Sequence, residues 1–266
     1  MSNNYVKRND IKVYWTDAPV NMKLIPQRIH LTDKEKSKIY DYWEKESSNN
    51  TSLYNGEVLC AEDFFYYNNG ICMNIKISDY AHYVYMMNHI EENITVCRSL
   101  SAGALIITSD EYIVLGKMGK KTSFPGIIHC IGGGMDIMDI MGIEPLANTV
   151  ARECYEEIEI ELNRDNFDIN KKYICFRGKE STIGLCYIVN LSISKEELER
   201  HFNTYKSKND EIEELYFVVS HGEQVREFCK QDMIIDYLRY ILYDYVGIEY
   251  LDKWSWCNDQ GVDKLS

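Results

Sequence analysis

The sequence lacks most of the features that would place a chain in a specialised class. Only four of its 266 residues are proline, and it shows no repeat or low-complexity tract, which excludes a repetitive architecture. No run of Lys and Arg offsets a net charge of −13. Such a surface repels polynucleotides and anionic lipids, so neither a nucleic-acid polymer nor a membrane is an expected partner. It still admits a small phosphorylated ligand, because a divalent cation reverses the sign locally. The nine cysteines run from Cys60 to Cys257 without a CxxC pair; an odd count with no framework spacing reads as reduced thiols. The opening residues "MSNNYVKRNDIKVYW" hold no apolar signal region, and no stretch nears the roughly 18 apolar residues of a membrane span. A cytoplasmic location is the expectation.

What is present fits a globular chain: 45% hydrophobic and 27% charged residues. Its length suits one large domain, or a core domain with a smaller one attached. Twenty-one tyrosines read as packing residues, since base-stacking platforms would want interleaved Lys and Arg, which "DFFYYNNG" lacks.

"DIKVYW" and "NMKLIPQRIHL" look extended, and "TDKEKSKIYDYWEKES" is a helix with a cap at Thr32. "GICMNIKISDYAHYVYMM" begins as a strand, and the polar "HIEENIT" (89–95) is a candidate boundary. "SAGALIITSDEYIVLGKM" reads as a hairpin. "TSFPGIIHCIGGG" follows as a Pro-Gly turn, a brief strand and then three glycines. "EPLANTVARECYEEI" is an amphipathic helix with Pro145 in its first turn and Leu146, Val150, Cys154 and Ile158 facing inward. Two strands come next, "KKYICFRG" and "GLCYIVNLSI". A helix with a Ser194/Glu197 capping box follows, then a strand, "ELYFVVS". Last comes a helix over "DMIIDYLRYILYDYV". This order describes an α/β layered domain of about 130 residues with tails on both sides.

The chemistry lies in "VARECYEEIEIEL" (150–162). Glu153, Glu156 and Glu157 stand three and four apart, so a helix projects them from one face, where they repel by a few tenths of a kcal/mol per pair. Either that face is solvated or a cation sits on it. Hard cations such as Mg²⁺ take carboxylate oxygens and keep waters and phosphates as their other ligands. The glycine run upstream lets a backbone carbonyl approach the same ion, and one arginine among acids can fix a carboxylate rotamer. These parts suit metal-assisted attack of water on phosphorus.

The run resembles the Nudix box, G-x5-E-x7-R-E-U-x-E-E-x-G-U with U aliphatic. Glu144, Arg152, Glu153, Glu156 and Glu157 match at the required spacing, and Cys154 and Ile160 fill the apolar slots. The hairpin, "FPG", "IGGG" and the later "NDEIEELYFV" also look like Nudix elements, so the resemblance covers about residues 98–225. Two departures stand out. Gly134 lies ten positions before Glu144 where the pattern has six, so "MDIMDIMGI" carries about four extra residues. Glu159 occupies the slot of the closing glycine; the left-handed turn there costs a non-glycine residue on the order of 1 kcal/mol, so the helix is expected to exit differently.

The resemblance implies an α/β (α+β) chain built as an α/β/α sandwich with a mixed sheet. The hydrolase domain would be 98–225, with a smaller N-terminal α+β region at 1–97 and a C-terminal helical extension at 226–266. It implies Mg²⁺ or Mn²⁺ on Glu153, Glu156 and Glu157, with a carbonyl of Gly133 or Gly134 as a further ligand. Arg152 would orient the carboxylates and pair with Glu144. The implied reaction is hydrolysis of a nucleoside diphosphate linked to a moiety X, with a box glutamate, Glu211 or Glu180 as general base. Lys117, Lys120, Lys121 and Arg177 are candidate substrate contacts. Asp136 and Asp139 in the lengthened loop are either further ligands or solvated acids, and His129 reads as packed. The segment "LYNGEVLCAED…GICMNIKISDYAHYVY" looks loosely like the region preceding the hydrolase domain in relatives of the UDP-glucose pyrophosphatase group. It makes a UDP-sugar the leading substrate and ADP-ribose the next. The family is often homodimeric, and the helix in "DYLRYILYDYV" faces either a partner subunit or its own core. Two competing readings are a Nudix-fold nucleotide sensor without turnover and a chance acidic helix in a structural protein.

Overall fold

The computed structural model describes residues 11–49, 53–67, 70–89, 93–120, 122, 124–140, 144–177, 182–205, 211–248 and 251. The chain begins with β1 (Lys12–Thr16), β2 (Val20–Arg28), α1 (Asp33–Asn49), β3 (Glu57–Tyr67), β4 (Gly70–Asp79) and α2 (Tyr80–Asn88). Next come β5 (Ser99–Ile107), β6 (Tyr112–Met118), β7 (Ile128–His129), β8 (Ile131–Gly134), a 3-10 turn (Ile137–Ile140) and α3 (Pro145–Ile158). It ends with β9 (Phe167–Arg177), β10 (Thr182–Asn190), α4 (Lys195–Tyr205), β11 (Ile212–Val219), α5 (Gly222–Phe228) and α6 (Leu238–Tyr245).

All described strands join one mixed sheet in the order β1-β9-β10-β5-β3-β4-β2, with β6 and β8 branching from β5, and β7 and β11 from β6. The β5/β10 and β2/β4 pairs are parallel. The sheet runs through the N-terminal region: β1 pairs with β9, and Cys60 of β3 meets Ser99 of β5.

Side chains alternate across a strand, and on β5 this splits the core in two. Leu100, Ala102, Ala104 and Ile106 pack with Leu146, Val150, Cys154 and Ile158 of α3 and with Leu198 and Phe202 of α4. Leu105 and Ile107 face the opposite layer, with Val225 and Phe228 of α5 and Leu238, Ile241 and Leu242 of α6. The result is a three-layer α/β/α arrangement. A third cluster joins Ile39 of α1 to Ala81, Tyr85 and Met86 of α2. Among the described residues no helix is long and apolar enough to cross a membrane.

The caps form as their sequences suggest. Ser194 and Glu197 make reciprocal bonds at the start of α4, and Thr32 with Glu35 does the same before α1. Three expectations need correction. The brief strand is two, β7 and then β8, and the glycines belong to the second: Gly132, Gly133 and Gly134 pair with Gly103, Ala102 and Ser101. The expected helix over 232–246 is confined to α6, because the Ile128 N–H donates to the Met233 carbonyl and the Ile235 N–H to the Ile128 carbonyl, which pins Ile234 in a β-bridge. The inward face of α6 is buried in the chain's own core.

Third, α3 does not avoid the left-handed exit. Glu159 itself adopts it, at φ 54° and ψ 33°, and its N–H still reaches the Tyr155 carbonyl at 2.9 Å. Glycine takes this conformation without the Cβ penalty. Glu159→Gly is therefore expected to stabilise the fold by about 1 kcal/mol, measured by urea denaturation. A loss of stability would show that the Glu159 side chain contributes more than its backbone strain costs.

Candidate active site

The inward stripe of α3 turns its neighbouring positions, Glu153 and Glu157, against β8, where both are buried. The Gly132 N–H donates to Glu157 Oε2 at 3.0 Å. The glycines are what allow this approach. A Cβ on Gly133 would sit 2.5 Å from Glu153 Oε1, and Gly132, at φ 151°, would place one 2.3 Å from the Ala102 carbonyl. A third carboxylate arrives from the other side: Glu211 lies just before β11, its carbonyl fixed by the Gly119 N–H at 2.7 Å. Oxygens of Glu153, Glu157 and Glu211 all lie within 4.8 Å of one another.

Charged carboxylates this close repel one another, and Arg152 offsets only part of that repulsion at Glu153. Burial pushes the Glu153 carboxyl up to about 7 against the opposing pull of Arg152. Burial, and then the Glu153 charge, push Glu157 up to about 9 against the Gly132 N–H. The native state then binds more protons than the unfolded chain between the ordinary value of 4.5 and about 9, so these groups stabilise at low pH and lose that contribution as pH rises. A divalent cation removes the penalty and competes with the protons. The melting temperature of the cation-free protein should therefore fall across this window, and the gain on adding Mg²⁺ should grow with pH. Parallel thermal melts in EDTA and in Mg²⁺ measure this; an equal slope in both would count against a cation on these glutamates.

Arg152 organises the rest. Its Nη1 donates to Glu153 Oε1 at 2.8 Å and to Glu156 Oε2 at 2.9 Å. Its Nε and Nη2 grip Asp139 at 3.2 and 3.0 Å, and Nη2 also reaches the Gly134 carbonyl at 2.9 Å. Burial works against this charge, but Asp139, Glu153 and Glu156 outweigh it and raise the guanidinium pKa. The partner expected for Arg152 was Glu144, and the structure replaces it. Glu144 is exposed at the start of α3, while the 3-10 turn of the lengthened loop lays Asp139 over the helix. There Asp139 is buried and also accepts from Thr149 Oγ1 at 2.9 Å and the Asp136 N–H at 2.8 Å.

The other expected residues divide. Glu156 is held outward by Arg152 and is not in the three-carboxylate cluster. The Gly134 carbonyl is engaged by Arg152, which leaves Gly133 as the expected carbonyl that Arg152 does not use. Lys117 lies 3.5 and 3.8 Å from Glu213 and Glu214, and Lys120 is exposed; neither lines the cavity beside the carboxylates. Arg177 does line it, buried, with Nε and Nη2 on Asp236 at 3.1 and 3.2 Å and its guanidinium 5.6 Å from the Tyr237 ring. His129 is packed as expected; burial lowers its pKa, and Nδ1 meets the Cys130 carbonyl. Glu180 and Lys121 lie outside the described residues.

The cavity itself, about 1040 Å³, runs from Glu153, Glu157 and Glu211 to the N-terminal region, where Tyr54, Tyr80 and Tyr83 line it. Sequence reading missed this far wall and the role of Asp139. The only signal for Asp139 was an acid in a loop of unusual length.

No protein-family model matches the chain, and no curated protein matches it. Solved structures that resemble it include a bifunctional NMN adenylyltransferase/ADP ribose pyrophosphatase from Francisella tularensis, at 13% identity and TM-score 0.41, over 64% of this chain and 48% of that one. This chain thus spans about half of that protein. A MutT protein from Methanosarcina mazei Go1 matches at 16% identity and TM-score 0.36, over 55% and 91%. A Nudix hydrolase from Nitrosomonas europaea matches at 14% identity and TM-score 0.37, over 58% and 93%. In this chain Arg152, Glu153, Glu156 and Glu157 stand on α3 of an α/β/α arrangement, beside a strand that carries three consecutive glycines.

Proposed function

We propose that this chain is a divalent-cation-dependent diphosphatase that hydrolyses a nucleoside diphosphate linked to a second moiety. The observation that carries the reading is the trio Glu153, Glu157 and Glu211, gathered under β8 at one end of a ligand-sized cavity. The donor set fits a hard cation: it is all oxygen, and two of its carboxyls are pushed far above their ordinary range without one. Mg²⁺ or Mn²⁺ would be held by Glu153, Glu157 and the Gly133 carbonyl, and would supply charge neutralisation at the diphosphate and Lewis-acid activation.

The chain's own residues do the rest. Gly132 orients Glu157 through its N–H, and Arg152 fixes the rotamer of Glu153. Glu211, the exposed member of the trio, takes the proton of the water as its oxygen attacks phosphorus and the anhydride P–O bond breaks. The leaving phosphate departs on X or on the nucleotide.

A nucleotide sugar, foremost a UDP-sugar, is the leading substrate and ADP-ribose the next; the cavity's extension beyond the carboxylates supports a ligand larger than a triphosphate tail. The sensor reading drew on Glu159 and the long loop. Glu159 still closes the helix and the loop supplies Asp139, so both departures are accommodated within an intact carboxylate site.

The test is phosphate release, with added phosphatase, over UDP-sugars, ADP-ribose, dinucleoside polyphosphates and nucleoside triphosphates in Mg²⁺ or Mn²⁺. Turnover of one class names the substrate. No turnover, with Mg²⁺ still raising the melting temperature, would favour the sensor.

A further inference from the structure

On β5 the side chains facing away from α3 change character along the strand. Leu105 and Ile107 pack under α5 and α6, but Gly103, Ser101 and Ser99 continue that same face with almost no side chain. On the neighbouring β10, Gly184 stands opposite Ser101 and Thr182 opposite Ser99. A Cβ on Gly184 would come within 3.2 Å of Ser101 Oγ, a tight contact between the two strands. The cavity lies over these small residues, where the helical layer stops.

This floor has two distinct ends. At Gly103 the register partner is Gly132, which holds Glu157. At Ser99 the neighbour is Thr182, 3.5 Å away through the hydroxyls, and Thr182 bonds the Tyr83 hydroxyl. Four strand steps separate the ends, about 13 Å. The far end is walled by rings: Tyr80 and Tyr83 have centroids 5.6 Å apart at 43°. Tyr54, from the segment before β3, is 83% exposed although it lines the cavity. Its ring lies against Gly56, where any Cβ would touch it at 3.2 Å. The acid in this wall, Glu57, is already paired with Arg28 at 2.8 Å. A wall of rings with its acid engaged suits a flat aromatic group better than an array of sugar hydroxyls.

We propose that Tyr54, Tyr80 and Tyr83 form a subsite for the nucleobase of the substrate, in the same cavity as the carboxylates that hold its diphosphate. The inference rests on the diphosphatase reading for the other end of the ligand. It makes the N-terminal region part of the binding site, and an extended nucleoside diphosphate has the length to bridge the two ends.

The test compares binding of AMP, UMP and ribose 5-phosphate in Mg²⁺ by calorimetry, for the wild type, Tyr54→Ala and Tyr54→Phe. Tyr54 is exposed, so these variants should fold; Tyr80→Ala, which also removes an edge contact with Trp43, is the secondary one. The wild type should bind one nucleotide about ten-fold tighter than ribose 5-phosphate. Tyr54→Ala should lose that preference, and Tyr54→Phe should keep it. On the substrate found by the panel, Tyr54→Ala should raise KM about ten-fold with kcat within two-fold. Equal binding of all three ligands by the wild type, or an unchanged preference in Tyr54→Ala, overturns the subsite and leaves the diphosphatase standing. A base preference lost in Tyr54→Ala, in a protein that turns over nothing, supports the subsite and counts against the diphosphatase.

Discussion

Glu157→Gln is expected to lower cation-dependent turnover by at least about 10²-fold and, at the same time, to stabilise the cation-free protein. Both effects follow from one feature. Glu157 is buried beside Glu153, and its carboxyl is pushed up to about 9 by burial and by that neighbour's charge. Glutamine keeps an oxygen to accept the Gly132 N–H but removes the charge that burial disfavours. A gain on the order of 1 kcal/mol at neutral pH would appear as a rise of about 2–4 °C in Tm for a chain of this size. The stabilisation by Mg²⁺ seen in the wild type should largely vanish, since an amide is a poorer ligand for a hard cation. A structural role for Glu157 predicts the reverse pattern: a lower melting temperature, with the response to Mg²⁺ unchanged. Melts and turnover on the same preparations separate the two.

Local signals carried most of the fold and half of the site. The helix at 145–158 was legible because Pro145, the stripe of Leu146, Val150, Cys154 and Ile158, and the charged spacing agree with one another. The Ser194/Glu197 box was legible for the same reason. What failed depended on partners distant in sequence. Three consecutive glycines have no side-chain period, so nothing local marks β8 as a strand; its pairing with β5 does. The apolar run at 233–235 looks helical until Ile128 pairs with it. Glu211 was legible as an acid near a strand, yet only the β6/β11 pairing brings it to the box helix. The cavity is the extreme case, because its floor comes from β5 and β10 and its far wall from residues before 84. Small residues at 99, 101 and 103 acquire meaning only once the layer above them is seen to end.

The residue that local reasoning placed worst is the one whose replacement should be most informative. Asp139→Asn is expected to lower turnover on the order of 10²-fold, with Glu144→Gln costing less than about three-fold. In the wild type Asp139 takes two bonds from Arg152, one from Thr149 and one from a backbone N–H. Removing its charge leaves the half-buried Arg152 with Glu153 and Glu156 as its remaining ion-pair partners. The guanidinium is then free to settle more fully on Glu153, occupying an oxygen that a cation needs. The cation concentration for half-maximal activity should therefore rise about ten-fold, while KM at saturating cation stays near the wild-type value. Breaking a fully buried pair costs about 3–5 kcal/mol; with 29% of the Arg152 side chain exposed, solvent screening reduces this to about 2 kcal/mol. A merely structural role would lower stability and leave the cation dependence alone. The opposite ranking, with Glu144→Gln the damaging change and Asp139→Asn mild, would return Arg152 to the partner that the box spacing implies. Asp139 would then be a bystander in a loop that only happens to fold over the helix.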